Sequence, residues 1–316
     1  MFLVCGEALF DFFLESEDGP AAATYAARAG GSPFNVAIGI TRLGAASGLL
    51  TGLSTDLLGQ RLAKVLENEG VSTAYAIPTD RPTTLSLVGL DAEGVPAYQF
   101  LKNGSADTGV RPEDLPTLGA EVSGLHFGSY SLVAPPTADA YAGLALAEPG
   151  RFISLDPNIR PTVEPDMAIW RSRLGTLYPA ATLIKISAED LELLHPGMKA
   201  ETFAEARLAE GARLVVVTDG GEAALGFTRS GLTATARPPK VTVIDTVGAG
   251  DTFQAALIAQ LVAHQGGAIA ALDALDTDRL GDLLDYAARA AAITCSRRGA
   301  DLPRAADLRA PRTVQG

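Results

Sequence analysis

The chain has 316 residues, 47% of them apolar and 20% charged, with a formal net charge of −12. That acidity repels a phosphate duplex, and the densest basic feature is the pair Arg297 and Arg298, so nucleic acid is not an expected partner. No apolar run of about 18 residues occurs to span a membrane, and Cys5 and Cys295, far apart and without a CxxC spacing, predict reduced core thiols rather than a disulfide framework.

The opening "MFLVCGEALFDFF" reads as a first strand centred on "FLVC" (2–5). It lacks a basic leader and is interrupted by Glu7 and Asp11, so a signal segment is not expected and the protein is expected to be cytoplasmic. Apolar spacing then predicts helices over 35–43 and 57–66, the second with Leu58, Arg61, Leu62, Val65 and Leu66 around one face. "TTLSLVGLDAEGVPAYQF" (83–100) breaks this rhythm: two alternating runs joined by the turn-rich "DAEG" predict an antiparallel hairpin. With the residues after Asp11 it forms a small sheet apart from the main one.

"FISL" (152–155), "TLIKI" (182–186) and "LVVVT" (214–218) read as strands buried on both faces, because polarity does not alternate within them. Phe253, Ala256, Leu257 and Leu261 recur at helical spacing, as do residues 283–293, and the tail after Asp301, with Pro303 and Pro311, is expected to be irregular. Strands alternating with helices imply an α/β fold around a mostly parallel, Rossmann-like sheet.

Three stretches carry chemistry. In "DTVGAGDTF" (245–253), Gly248 and Gly250 flank Ala249 ahead of a helix, where bare N–H groups and the helix dipole bind an anion. Asp251 either satisfies orphan N–H groups of the first turn or acts as a base beside a phosphoryl group. In "AGGSPFN" (29–35), Gly30 and Gly31 permit close backbone approach, and Asn35 is either a helix cap or a binder of vicinal hydroxyls. "SLDPNIRP" (154–161) places an acid, an amide and Arg160 after a strand, where open parallel sheets bind ligands. No GxxxxGK[ST] is present, and no GxGxxG follows a strand, which weighs against a nicotinamide-dependent dehydrogenase. His126, His195 and His264 are isolated, so metal hydrolase chemistry is not expected.

In this order the motifs resemble the ribokinase-like (pfkB) family of carbohydrate kinases from end to end, "GGSPFNVA" and "DTVGAGDTF" being similar to its two signatures. "GEALFDF", "GSADTG" (104–109), "HFGSYSLV" (126–133) and "DPNIRP" look most like bacterial fructokinases. The resemblance implies one domain over 1–316, with a β lid built from about 12–28 and 83–103 that in relatives often pairs into a homodimer. It further implies transfer of the ATP γ-phosphoryl group to a sugar hydroxymethyl, with Mg²⁺ carried by ATP and a monovalent cation such as K⁺ near Asp245. Asp251 would then be the general base, and Gly248, Ala249 and Gly250 the anion hole. Asp11, Gly30, Gly31, Asn35, Lys102, Asn103 and Arg160 would bind the sugar. The nucleotide would meet Lys185, Ser187, Asp190, Thr218, Gly220, Gly221, Gly248 and Gly250, with Ser187 and Asp190 standing where many relatives have N-x-x-E and Ala288 where they have an asparagine. Fructose is the expected acceptor. The alternatives are 2-keto-3-deoxygluconate, a ribokinase-type or nucleoside acceptor, and a sugar sensor without catalysis on the same fold.

Overall fold

The computed structural model describes residues 1–90 and 96–309. The opening stretch is two strands, not one: β1 (Phe2–Cys5) and β2 (Leu9–Glu17) are separated by a turn at Gly6, whose φ of 156° suits glycine. β3 (Ala23–Gly30) leads into α1 (Ser32–Arg42), β4 (Ser47–Leu50), β5 (Gly52–Ser54) and α2 (Leu57–Asn68). After β6 (Ile77–Thr79) the expected hairpin follows as β7 (Thr84–Leu90) and β8 (Pro96–Leu101). Its "DAEG" turn lies outside the described residues. β9 (Gly124–Gly128), α3 (Thr137–Ala147), β10 (Phe152–Asp156), α4 (Met167–Leu177), β11 (Leu183–Ser187) and α5 (Ala188–Leu194) alternate strand with helix. The chain continues through α6 (Ala200–Glu210), β12 (Leu214–Asp219), β13 (Ala223–Thr228), β14 (Thr233–Ala236), α7 (Ala249–Val262), α8 (Gly267–Asp273) and α9 (Thr277–Cys295). The tail departs from expectation, since Ala305–Arg309 form the short helix α10, anchored by buried Leu308; Pro311 falls beyond the described residues.

Eight strands form one sheet in the order β14-β13-β12-β11-β10-β9-β1-β4, parallel except at the β12–β13 and β13–β14 edge. Side-chain alternation divides the core in two. Phe2, Val4, Leu49, Phe152 and Val216 pack on one face with α1, α7 and α9, while Leu3, Cys5, Phe127, Leu155, Ile186 and Val217 pack on the other with α3, α4 and α6. Both faces are covered, which is why these strands show no polar alternation in sequence. In α2 the core-facing residues are Leu62 and Leu66, whereas Arg61 is exposed.

Strand order reverses direction at β1 and β9: the chain runs from β1 out to β4, then returns to β9 and proceeds the other way. In open sheets such a reversal leaves a crevice beyond the carboxyl ends of the strands. A second sheet, β3-β2-β7-β8, stands beside that crevice and pairs β2 with β7 in parallel. Among the described residues no single helix is long and apolar enough to cross a membrane.

Candidate active site

The crevice is built around the first turn of α7. Gly248 caps this helix in the left-handed region at φ 79°, and a Cβ on it would lie 2.8 Å from the Ala300 side chain, so an L side chain is doubly disfavoured there. Asp245 staples the turn: its Oδ1 accepts from Val247 N at 3.0 Å and its Oδ2 from Gly299 N at 2.8 Å. The Ala249 N–H donates to Thr246 O at 3.2 Å. Gly250 and Asp251, the second and third helical residues, carry N–H groups that helix geometry leaves unsatisfied, at the positive end of the dipole.

Asp251 does not cap its own helix. Its Oδ1 accepts from Ser32 Oγ at 2.6 Å and its Oδ2 from Asn35 Nδ2 at 2.8 Å. Asn35 is correspondingly no N-cap, because Gly31 occupies that position and Asn35 is the fourth residue of α1. The cause is a close helix crossing. A Cβ on Gly39 would fall 2.6 Å from that of Ala255, so α1 and α7 touch there, and one turn earlier on each helix Asn35 meets Asp251. Burial raises Asp251 above the ordinary carboxylate range, opposed by the hydrogen bonds from Ser32 and Asn35.

On one side of this turn a cavity of about 510 Å³ is walled by Glu7, Asp11, Gly31, Asn35, Phe100, Tyr130, Arg160 and Asp251. Burial pushes Asp11 up to about 6, against the attraction of Arg160. Gly30 serves the wall without joining it, since a Cβ there would stand 2.6 Å from Asp11 Oδ2. Gly31 adopts φ 108°, and a Cβ would meet the Glu7 carbonyl at 2.8 Å. Lys102 and Asn103 line neither this cavity nor its neighbour. β8 ends at Leu101 and the chain turns away, with Lys102 O accepting from Ser105 Oγ and Thr108 Oγ1, so the strand delivers Phe100 to the wall instead.

On the other side lies a cavity of about 950 Å³, whose lining includes seven of the eight residues expected at a nucleotide, Lys185, Ser187, Asp190, Thr218, Gly220, Gly221 and Gly250, whereas Gly248 lines the smaller cavity. Gly250 is shared by both cavities. Three of the seven already have structural partners. Ser187 Oγ caps α5 by accepting from Asp190 N at 3.0 Å, and the Asp190 carboxylate accepts from Ile159 N at 3.0 Å while burial pushes it up to about 6. Lys185 Nζ donates to Asp156 Oδ2 at 2.6 Å in a nearly sealed ion pair, and it stands 3.5 Å from the point where a Cβ on Gly250 would project.

The model for pfkB family carbohydrate kinases matches residues 1–306. The chain belongs to this family. A fructokinase of Rhizobium leguminosarum bv. trifolii is 38% identical over 262 residues, covering 83% of this chain and 79% of that relative. The structure is similar to a fructokinase of Xylella fastidiosa with bound ATP, at a TM-score of 0.88 and 27% identity over 97% of this chain and 96% of that one. It is also similar to a Vibrio cholerae fructokinase holding fructose, ADP and calcium, at a TM-score of 0.79 and 26% identity over 98% of each chain.

This carbohydrate kinase has site residues that its sequence alone did not disclose. Ser32 lies three residues before Asn35, so the helical period puts both on one face, but nothing local aims that face at Asp251. Glu189, inside the "KISAED" stretch, lines both cavities. Cys295 is half-buried on the wall of the larger cavity rather than in the core, with Ala291, Ala292, Val241 and Val243, whereas Ala288 is buried away from it. His126 is a core residue, 3.1 Å from Ser154 Oγ through Nδ1 and pushed down to about 3 by burial.

Proposed function

We propose that this kinase phosphorylates D-fructose, with ATP in the larger cavity, the sugar in the smaller one, and Asp251 as general base between them. The observation that carries the reading is the first turn of α7, where Gly250 borders both cavities and the Asp251 carboxylate lies on the acceptor side. An acceptor hydroxyl placed there loses its proton to Asp251 as its oxygen attacks the γ-phosphorus, while the unsatisfied N–H groups and Lys185 balance charge on the phosphoryl group. Asn35 and Ser32 hold the carboxylate's orientation until the sugar arrives, and Asn35, Asp11 and Arg160 bind its hydroxyls. The four-stranded sheet, which brings Phe100 to the wall, is the lid over that pocket and excludes water when it closes.

Among the described residues no three acids, histidines or cysteines cluster to hold an ion. Mg²⁺ would be carried on phosphate oxygens, with Glu189 and Asp190, which line the larger cavity, the acids that would hold its water shell; bound so, it would neutralise phosphate charge. A monovalent cation beside Asp245 and pairing of two chains through the lid belong to the same reading.

An uncharged acceptor suits this wall better than an acid. Asp11 and Asp251 face the pocket against one guanidinium, Arg160, and Lys102 is not among its lining residues. In a coupled ADP-release assay with Mg·ATP, fructose is expected to give a rate far above 2-keto-3-deoxygluconate, ribose, adenosine and no acceptor. Preference for the keto acid would overturn the assignment of fructose while leaving the kinase in place.

Asn35→Ala removes a donor to a buried carboxylate as well as a sugar contact. It is expected to raise the acceptor KM roughly tenfold or more, the worth of a hydrogen bond to a charged group, with the ATP KM little changed. The pH at which activity is half lost on the acid side should rise, since the donor holds the Asp251 pKa down. Equal changes in both KM values would reduce Asn35 to a packing role.

A further inference from the structure

The acceptor-side wall contains a group that none of the roles above uses. Glu7, in the turn between β1 and β2, is 1% exposed and borders the cavity together with Asp11, Asn35, Arg160 and Asp251. Its Oε2 is buried without a hydrogen-bond partner. A buried polar oxygen left unpaired costs about 1–3 kcal/mol, so the fold tolerates here a defect that ordinary packing would remove. The surroundings also hold the group rigidly. A Cβ on Gly31 would press on the Glu7 carbonyl at 2.8 Å and on its Cγ at 3.3 Å, so the start of α1 rests directly against Glu7. Ser129, the hydroxyl beside it, adopts a left-handed backbone at φ 59°, a strained conformation for a residue other than glycine.

We propose that Glu7 is a further acceptor-binding residue, whose carboxyl group, incompletely paired in the fold, is completed by a hydroxyl group of the bound sugar. This rests on the assignment of the smaller cavity to the sugar. Burial pushes the Glu7 carboxyl up to about 8, against the hydrogen bond from Ser129, with Asp107 raising it further and Arg160 lowering it. The other ionisable groups around it are Asp11 from β2, Asp251 from α7, Tyr130 from the loop after β9, Tyr141 from α3 and Cys5 at the end of β1. At neutral pH the carboxyl is therefore protonated and offers the sugar both a donor and an acceptor. As pH rises through about 8 it ionises, its donor is lost, and a buried charge appears in the pocket. Acceptor binding should weaken in that window, while Asp11 and Asp251 act on the acid side.

The test compares wild type, Glu7→Ala and Glu7→Gln by steady-state kinetics between pH 6.5 and 9.5, with thermal melting of each protein. The acceptor is fructose or, if the panel selects another sugar, that sugar; a change of acceptor corrects the substrate and leaves the role of Glu7 to be read. Glu7→Ala is expected to raise the acceptor KM about tenfold, the worth of one hydrogen bond at the upper end of the usual range, with the ATP KM within about twofold. Glu7→Gln, which keeps a donor and an acceptor, should stay near wild type at pH 7 and lose the alkaline rise in acceptor KM. An unchanged acceptor KM in Glu7→Ala, parallel changes in both KM values, or an alkaline rise that persists in Glu7→Gln would each overturn the proposal.

Discussion

Asp251→Asn is expected to lower kcat by roughly 10²–10⁴, the usual contribution of a positioned general base, with the ATP KM within a few-fold of wild type. Asparagine preserves the shape, its carbonyl oxygen able to accept from Asn35 Nδ2 and its Nδ2 able to donate to the Ser32 hydroxyl, but it cannot accept the acceptor's proton. The base works only when ionised, and burial raises its pKa. Wild-type kcat should therefore fall as pH drops through a value above the ordinary carboxylate range, and the variant's residual kcat should lack that limb. Single-turnover and steady-state measurements across pH check both points. Turnover near the parent rate would remove Asp251 from proton transfer and leave it a partner of α1.

The second large effect concerns stability. Asp156 and Lys185, on β10 and β11, form an ion pair with side chains 2% and 4% exposed. Asp156→Ala strands the ammonium in the core, where breaking a buried pair costs about 3–5 kcal/mol, and the urea midpoint should fall accordingly. Removing both charges is a different matter. Asp156→Leu with Lys185→Met should recover much of the loss, because neither partner is then left unpaired. ATP affinity should not recover with it, since Lys185 Nζ stands 3.5 Å from the Cβ direction of Gly250 at the shared turn. A double variant that regains nucleotide affinity along with stability would make the lysine purely structural.

The part of this molecule legible in its sequence is local in origin. Unbroken apolar runs such as "FISL" and "LVVVT" identify strands covered on both faces because no polar residue interrupts them. The 3.6-residue period marks α1, α2 and α9, and the glycine turn at 245–250 announces an anion site because bare N–H groups at a helix start follow from geometry alone. The pair β7 and β8 was similarly visible in alternating polarity. Where a local rule was followed too far it misled: the apolar opening continued past Gly6 as one strand in sequence, yet the turn there sends β2 into a different sheet. Proline punctuation after Asp301 likewise concealed α10, which exists because Leu308 finds a buried place against the core.

Where each candidate residue lies depends on contacts between distant parts of the chain. Asn35 and Asp251 stand 216 positions apart and meet because Gly39 lets α1 lie against Ala255 of α7. Ser32 joins them through the same crossing. Lys102 left the pocket because β8 ends one residue earlier, while Phe100 stayed. The shifts in Glu7, Asp11 and Asp251 come chiefly from burial, and burial is a property of everything packed around a group. By itself the sequence determined the α/β class, the family and the glycine turn that opens α7, since short-range geometry and spacing are enough for those. The tertiary structure decided which side chains wall each cavity and in which direction burial shifts their acidity, because desolvation and pairing depend on neighbours that no local stretch contains.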